Sequence, residues 1–380
     1  MLIVRAPVRI SFAGGGTDLP AYYQQHGGLV VSTTIDKYFY VFVNLNGADS
    51  VQVTSSDYRT FFRQRRGQPT FWDGDLALPR AFLHQFGIEG GVSLFLASEV
   101  PPGTGLGSSS TVSVALAKAL AALCRLRLSN YQLAELASHV EIDKLGMPIG
   151  RQDQYAAAFG GLNAIYFKAE GVHVEPLGCG PLIEQALQRR IMLFFTGAAR
   201  SAAGILREQR SATQQRDADV MNSLHHIRAM AEEVIELLRA GDLAAFGRLL
   251  HTSWEAKKRL ARGVTTPVID DWYDVARAHG ALGGKIAGAG GGGFLMLYCE
   301  EPFQDDVTAA LEARGLVRTD FHFERGGAVV LMDAIPRVRT FGVPERAFDG
   351  VHSSGRDALI AGWGRAADAA SQPAARAATW

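Results

Sequence analysis

Cysteine is scarce in this chain: Cys124, Cys179 and Cys299 are the three among 380 residues. An odd number so widely spaced supports neither a disulfide framework nor a zinc site, so all three are expected as core thiols. Charge of one sign is lacking as well. Lysine plus arginine number 38 and aspartate plus glutamate 38, a balance that favours neither nucleic acid nor an anionic membrane surface and leaves a small molecule as the expected partner. Long apolar runs are missing too: the longest, around 112–124, is broken by Lys118 and is too short to span a bilayer. Nothing at the N-terminus reads as a charged leader ahead of a cleavable apolar core. A soluble, cytoplasmic protein is expected, with a homodimer left open. No period typical of solenoids or propellers is visible.

What is abundant is apolar residues, 47% of the chain, enough at this length for two compact units. The stretches "MLIVRAPVRISFA" and "LVVSTTIDKYFYVFVNL" have the β-branched and aromatic bias of strands, with glycines at 14–16 and 27–28 between them. A strand, a turn, a short helix and a strand are predicted, then a strand over 92–97 and an alanine-rich helix to about Cys124. The next helix is capped at Ser129. Apolar residues at helical spacing from Met221 to Leu237, stopped by Gly241, predict a helix within 211–240. His225 and His226 on it have no carboxylate in metal-binding register and are expected as ordinary surface or boundary residues. After about Thr340 the chain is rich in alanine, glycine and arginine with little periodicity, and a partly disordered accessory tail is expected at 341–380.

The loop "GTGLGSSS" (103–110) carries no lysine or arginine, so it is not a P-loop. The helix after it is followed by another helix, so it is not a dinucleotide fingerprint. Its glycines would let backbone approach an anion, and Ser108 would open a helix whose free N–H groups face that anion. A metal must then supply the missing positive charge, and Ser109 offers a hard oxygen suited to magnesium. A plain serine-capped helix is the other reading of the loop taken alone.

Two further segments complete a site. "EIDKLGMPIGRQDQYAAAFGG" (141–161) brings Glu141 near one helix end and Asp153 near the next helix start, so that one carboxylate could hold a metal while the other accepts a proton. "APVRISFAGGGTDLP" (6–20) sets Arg9 on a strand and Asp18 beyond a triple-glycine turn where a sugar could lie close to the backbone. Arginine stabilises a neighbouring carboxylate, and a second carboxylate accepts hydrogen bonds from sugar hydroxyls.

The stretches "APVRISFAGGGTDLP", "PPGTGLGSSSTV" and "KIAGAGGGGFLML" resemble, in order and spacing over about residues 1–340, the three signature motifs of the GHMP small-molecule kinases. Within that superfamily, "RISFAGGGTDLPAYY", "TTIDKYFYV", "PIGRQDQYAAAFGG" and "FFTGAARSA" resemble the D-glycero-D-manno-heptose 7-phosphate kinases. The resemblance implies an α+β fold of two domains. The first, 1–180, would resemble the second domain of ribosomal protein S5, and the second, 181–340, a ferredoxin-like plait. It also implies ATP and Mg2+. Pro102, Gly103, Thr104, Gly105, Leu106, Gly107, Ser108, Ser109 and Ser110 would cradle the phosphates, and Ser109 and Glu141 would hold the metal. Asp153 matches the catalytic aspartate and Arg9 its basic neighbour, although the 148–153 segment is one residue longer than in mevalonate kinases. Asp18 matches the sugar-binding aspartate, with Gly15, Gly16, Thr17, Gly290 and Gly291 beside the substrate. A sugar phosphate needs an anion site, for which Arg151 and Arg200 are candidates; surface arginines are the other reading of both, and Lys37 stands in the same position. Other functions in view are a 1-kinase of an unphosphorylated sugar such as fucose, a diphosphate decarboxylase, and a non-catalytic sugar sensor on the same fold.

Overall fold

In the first strand, β1 (Leu2–Ala13), Leu2 and Val4 are buried while Ile3 and Arg5 are partly exposed, and from Ala6 onward every residue is buried. A strand that changes from one covered face to two has a second layer arriving half way along it. That arrival places the site. The computed structural model describes residues 1–57, 59–68, 74–197 and 203–336; Arg200 and the segment 341–380 lie outside them.

After β1 come helix α1 (Pro20–His26) and β2 (Gly28–Leu45), as the sequence predicts, then β3 (Ser50–Ser55), β4 (Thr60–Arg65), α2 (Ala77–Gln85) and β5 (Val92–Ser98). α3 (Ser108–Leu123) and α4 (Asn130–Ser138) follow. A π-helical turn, His139–Lys144, extends α4, and α5 (Gln152–Phe159), β6 (Leu162–Lys168) and β7 (Gly171–Pro176) complete the first unit. Ser129 caps α4 as expected: its Oγ accepts from the Gln132 N–H at 3.2 Å while the Gln132 side chain accepts from the Ser129 N–H at 2.8 Å, a reciprocal capping box. The eighteen-residue β2 is long enough to pair β6 along its first half and β5 along its second.

The second unit comprises α6 (Pro181–Arg190), β8 (Ile191–Phe195), α7 (Ala203–Gln214), α8 (Ala218–Ala240), α9 (Leu243–Lys257), α10 (Pro267–Ala278), β9 (Ala281–Ile286), β10 (Phe294–Cys299), α11 (Gln304–Glu312) and β11 (Val317–Thr319). Its sheet runs β11-β8-β10-β9, antiparallel throughout. Strands four, one, three, two with helices between them make the ferredoxin-like plait. Where one helix is predicted within 211–240, the structure has two. Asp217 accepts from the Asp219 and Val220 N–H groups and starts a new helix, and Arg216 just before it has φ 55°.

The chain then returns to the first sheet. β12 (Phe323–Glu324) pairs β2 and β13 (Val329–Asp333) pairs β1. The division into 1–180 and 181–340 is linear, whereas this nine-stranded sheet takes strands from both ends of the described chain. One face of the sheet packs on α3, α4 and α5. The opposite face of the second half of β1 (Val8, Ile10, Phe12) shares a core with Ala231 and Val234 of α8, Phe246 of α9 and Tyr298 of β10. Phe12 meets Phe246 edge-on at 5.5 Å. All three cysteines are buried free thiols, as expected, and burial pushes the Cys124 thiol up to about 12. Among the described residues no helix is long and apolar enough to cross a membrane.

Candidate active site

The loop between β5 and α3 is held by backbone rather than by side chains. Gly105 has φ 84°, and a Cβ built on it would lie 2.4 Å from the Ala287 carbonyl oxygen. A Cβ on Gly288 would meet Gly105 Cα at 2.7 Å, and one on Gly293 would meet the Thr104 oxygen at 2.3 Å. The Phe294 N–H donates to Thr104 at 3.2 Å. The glycine-rich turn between β9 and β10 therefore buttresses the phosphate-type loop main chain to main chain, which side chains would prevent. Gly105→Ala is expected to destabilise the protein by about 1–3 kcal/mol and to weaken nucleotide binding. Gly146→Ala, at φ 66° but with nothing within 4 Å, should lose only the backbone term of about 1 kcal/mol. Thermal melts and nucleotide titrations of both variants check the comparison.

Three consecutive residues in the first turn of α5 each hold a different part of the site. The Gln152 side chain donates to Asp18 Oδ1 at 3.0 Å and its N–H to Asp18 Oδ2 at 3.1 Å; the Gly16 N–H also donates to Asp18, at 3.0 Å. Asp153 accepts from Arg9 Nε and Nη2 on one oxygen, Oδ1, both at 2.7 Å. Gln154 donates to Glu141 Oε2 at 2.7 Å. Arg9, buried on β1, also donates to the Gly105 carbonyl at 2.6 Å and so ties the loop to Asp153. Asp153 Oδ2 has no donor among the described residues and lies 3.1 Å from where a Gly107 Cβ would be. A carboxylate oxygen is thus left open beside the loop.

Two carboxyls are shifted by their surroundings. Burial, and then the neighbouring Asp153, raises Asp18 above the usual carboxylate range despite its three donors. Burial pushes Glu141 up to about 7, against hydrogen bonds from Gln154, Ser109 and Ser110 that lower it. Ser109 Oγ donates to Glu141 Oε1 at 3.0 Å, so two hard oxygens converge at the start of α3, while the buried Ser108 Oγ has no partner among the described residues. Among the described residues no three His, Cys, Asp or Glu side chains gather as a metal cluster. Two protein oxygens beside a phosphate-type loop fit magnesium, which keeps waters and phosphate oxygens as its other ligands.

Arg9, Gly15, Gly16, Asp18, Gly103, Gly105, Gly107, Ser108, Ser109, Ser110 and Asp153 all line one cleft. Other expected residues are placed elsewhere. Thr17 is buried and bonds Gly14 and Leu29, closing the turn rather than facing a substrate. Thr104 and Leu106 are buried, and Pro102 faces a second pocket. Gly290 and Gly291 pack on Val264: a Cβ on Gly290 would meet the Val264 oxygen at 2.5 Å, and the Gly291 N–H donates to it at 2.9 Å. That turn lends the cleft Gly288 and Ala289 instead. Arg151 is bound to Glu135, which also accepts from Tyr155 OH, and does not line the cleft. Arg200 lies outside the described residues. His225 is held by Tyr22 OH at 2.8 Å.

Sequence reasoning missed Gln152 and Gln154, whose signal was their position on either side of Asp153. It also missed Lys257 and Lys285, which line the cleft from α9 and β9. The second pocket is largely apolar, with Phe39, Leu96, Val112 and Met147 on its walls, and shares Gly103, Ser108 and Ser109 with the cleft. The loop thus sits between that pocket and the cleft lined by Arg9, Asp18, Asp153, Lys257 and Lys285.

Comparison with known proteins agrees with this geometry. The GHMP kinases N terminal domain matches residues 76–161 and the GHMP kinases C terminal domain residues 234–315. The chain is 30% identical over 329 residues to the D-glycero-alpha-D-manno-heptose 7-phosphate kinase of Campylobacter jejuni, covering 85% of this chain and 96% of that one. It is 26% identical to the L-fucokinase/L-fucose-1-P guanylyltransferase of Bacteroides fragilis, over 78% of this chain and 34% of that protein. The crystal structure of a D-glycero-D-manno-heptose 1-phosphate kinase from Bacteroides thetaiotaomicron superposes with a TM-score of 0.73 at 27% identity, over 88% of this chain and all of that one. With both domains matched, near full-length similarity to a named kinase and an open carboxylate beside a glycine-rich loop, the chain belongs to the GHMP kinases and is a phosphotransferase acting on a hydroxyl acceptor.

Proposed function

We propose that this kinase transfers the γ-phosphoryl group of ATP to the anomeric hydroxyl of D-glycero-D-manno-heptose 7-phosphate, giving the 1,7-bisphosphate used to make nucleotide-activated heptose for surface polysaccharide. The observation that carries the chemistry is Asp153, fixed by Arg9 through one oxygen with the other open to the cleft. That oxygen accepts the proton of the attacking hydroxyl. Asp18 and the Gly15–Gly16 backbone orient the sugar, and the loop N–H groups at the start of α3 receive phosphate oxygens. The apolar pocket beyond the loop takes the nucleotide base. Ser109 and Glu141 would hold a magnesium ion, which when bound neutralises charge on the phosphates. Arg9 keeps Asp153 aimed and fixes the loop through Gly105.

The choice of heptose 7-phosphate rests on the near full-length similarity to the Campylobacter enzyme. A 1-kinase for an unphosphorylated sugar is the second reading, favoured by the similarity to the fucokinase and by the commitment of Arg151 to Glu135. Phosphorus NMR of the product after incubation with ATP, magnesium and either heptose 7-phosphate or fucose separates them. A new anomeric phosphate signal is expected with the heptose; phosphorylation of fucose alone would transfer the assignment.

A further inference from the structure

Lys285 is buried on β9, and Lys257, at the end of α9, is partly buried in the same cleft. Among the described residues neither pairs with a carboxylate. Lys257 Nζ donates to the Ile286 and Gly288 carbonyls at 3.0 and 2.5 Å, and Lys285 Nζ to the Phe12 carbonyl at 3.0 Å. An ammonium has three N–H donors. One on Lys257 and two on Lys285 therefore have no protein acceptor among the described residues.

Desolvation, and then Arg9, pushes Lys257 down to about 7; desolvation, with Lys257 and Arg9, lowers Lys285 well below the usual lysine range. Both shifts have the same physical origin: burial first, which disfavours the charged amine, and neighbouring cations second. Of the two carboxylates lining the cleft, Asp153 gives one oxygen to Arg9 and leaves Oδ2 open, and Asp18 accepts from Gln152 and Gly16; neither pairs with Lys257 or Lys285. Four polar atoms of the same cleft, Gln209 Nε2 on α7, Ser11 Oγ on β1, Ser108 Oγ on α3 and Gln152 Oε1 on α5, are buried with no partner among the described residues. Lys257, Lys285, Gln209 and Ser11 thus bring polar groups from four separate elements to one cavity, and among the described residues no carboxylate there pairs with either lysine.

We propose that Lys257 and Lys285, with Gln209 and Ser11, form a phosphate subsite of this cleft, taking either the ester phosphate of the acceptor or the terminal phosphate of the nucleotide. The inference rests on the cleft being the acceptor cleft of the kinase; it does not require the acceptor to be the heptose. A phosphate dianion there would bridge the two ammonium groups in charge-assisted hydrogen bonds and restore the charge balance the protein leaves open. Lys257 would couple that phosphate to the loop, because the Gly288 it holds lies against Gly105.

Calorimetric titration of the wild type, Lys257→Gln, Lys257→Arg and Lys285→Gln tests this with ATP and ADP, each with magnesium, and with heptose 7-phosphate and the unphosphorylated heptose. Either lysine-to-glutamine change is expected to weaken one phosphate-bearing ligand at least tenfold, with Lys257→Arg recovering part of the loss. Loss for heptose 7-phosphate but not for the heptose assigns the acceptor phosphate; loss for ATP but not for ADP assigns the terminal phosphate. Unchanged affinities for all four ligands would overturn the proposal, and so would an equal loss for all four, since that is what pinning Ile286 and Gly288 alone would produce. If heptose 7-phosphate fails to bind the wild type, the heptose assignment falls while the ATP and ADP pair still decides the subsite. If Lys285→Gln does not fold, as judged by its melt, the Lys257 pair carries the test.

Discussion

Asp153→Asn is expected to lower turnover by roughly 10²–10⁴, the usual contribution of a positioned general base, while ATP binding persists. The amide is the same size as the carboxylate, and its oxygen can still accept from Arg9, so loop and helix should hold their places. What disappears is a basic oxygen at the Oδ2 position, where no protein donor is found among the described residues. Steady-state turnover with a parallel nucleotide titration is the measurement. Wild-type turnover would remove Asp153 from the base role; joint loss of turnover and ATP affinity would mean that the pair with Arg9 serves mainly to shape the loop.

Magnesium affinity is expected to depend steeply on pH because Glu141 is held near pH 7 by burial. A metal requires the ionised carboxylate, so below about pH 7 affinity should fall roughly tenfold per pH unit and above it level off. The sign for folding is opposite. A carboxyl raised from its ordinary value of 4.5 to about 7 contributes stability that is fully present below 4.5 and is lost as pH rises through 7. The metal-free melting temperature should carry a falling component across that window, and magnesium should stabilise more at pH 8 than at pH 6. Glu141→Gln should abolish both dependences and raise the magnesium requirement about tenfold or more. Ser109→Ala should move the midpoint upward, since it removes a hydrogen bond that favours the charged form. A Glu141→Gln enzyme with an unaltered magnesium titration would take both residues out of the metal site.

Legibility in the sequence followed the range of the interaction. Ser129, Gly241 and the Gly103–Ser110 loop act on their own neighbours, and the helix starts and stops they predict are found at α4, α8 and α3. Asp217 acts locally too, yet the apolar period running past it concealed the break it makes between α7 and α8. Arg151 shows the opposite failure. Its side chain chose between a ligand and Glu135, and nothing near it in the chain indicates that Glu135, one α-helix earlier, would face it. Gly290 and Gly291 belong to a real motif but serve the approach of two backbones, a role that glycine shares with ligand contact and that spacing alone does not separate.

By itself the sequence determined the family and the glycine-rich loop with its helix, and it singled out Arg9, Asp18, Ser109, Glu141 and Asp153 as candidates, because motifs of this kind are short and their backbone demands are local. Only the tertiary structure decided that Arg9 meets Asp153 across 144 positions, that Gln152 and Gln154 brace the two other carboxyls, and that β12 and β13 return to the first sheet. It alone also brought Lys257 and Lys285 into one cleft. Those meetings depend on strand register and on helices docking over the second half of β1, where burial of Val8, Ile10 and Phe12 against a distant part of the chain fixes which faces meet.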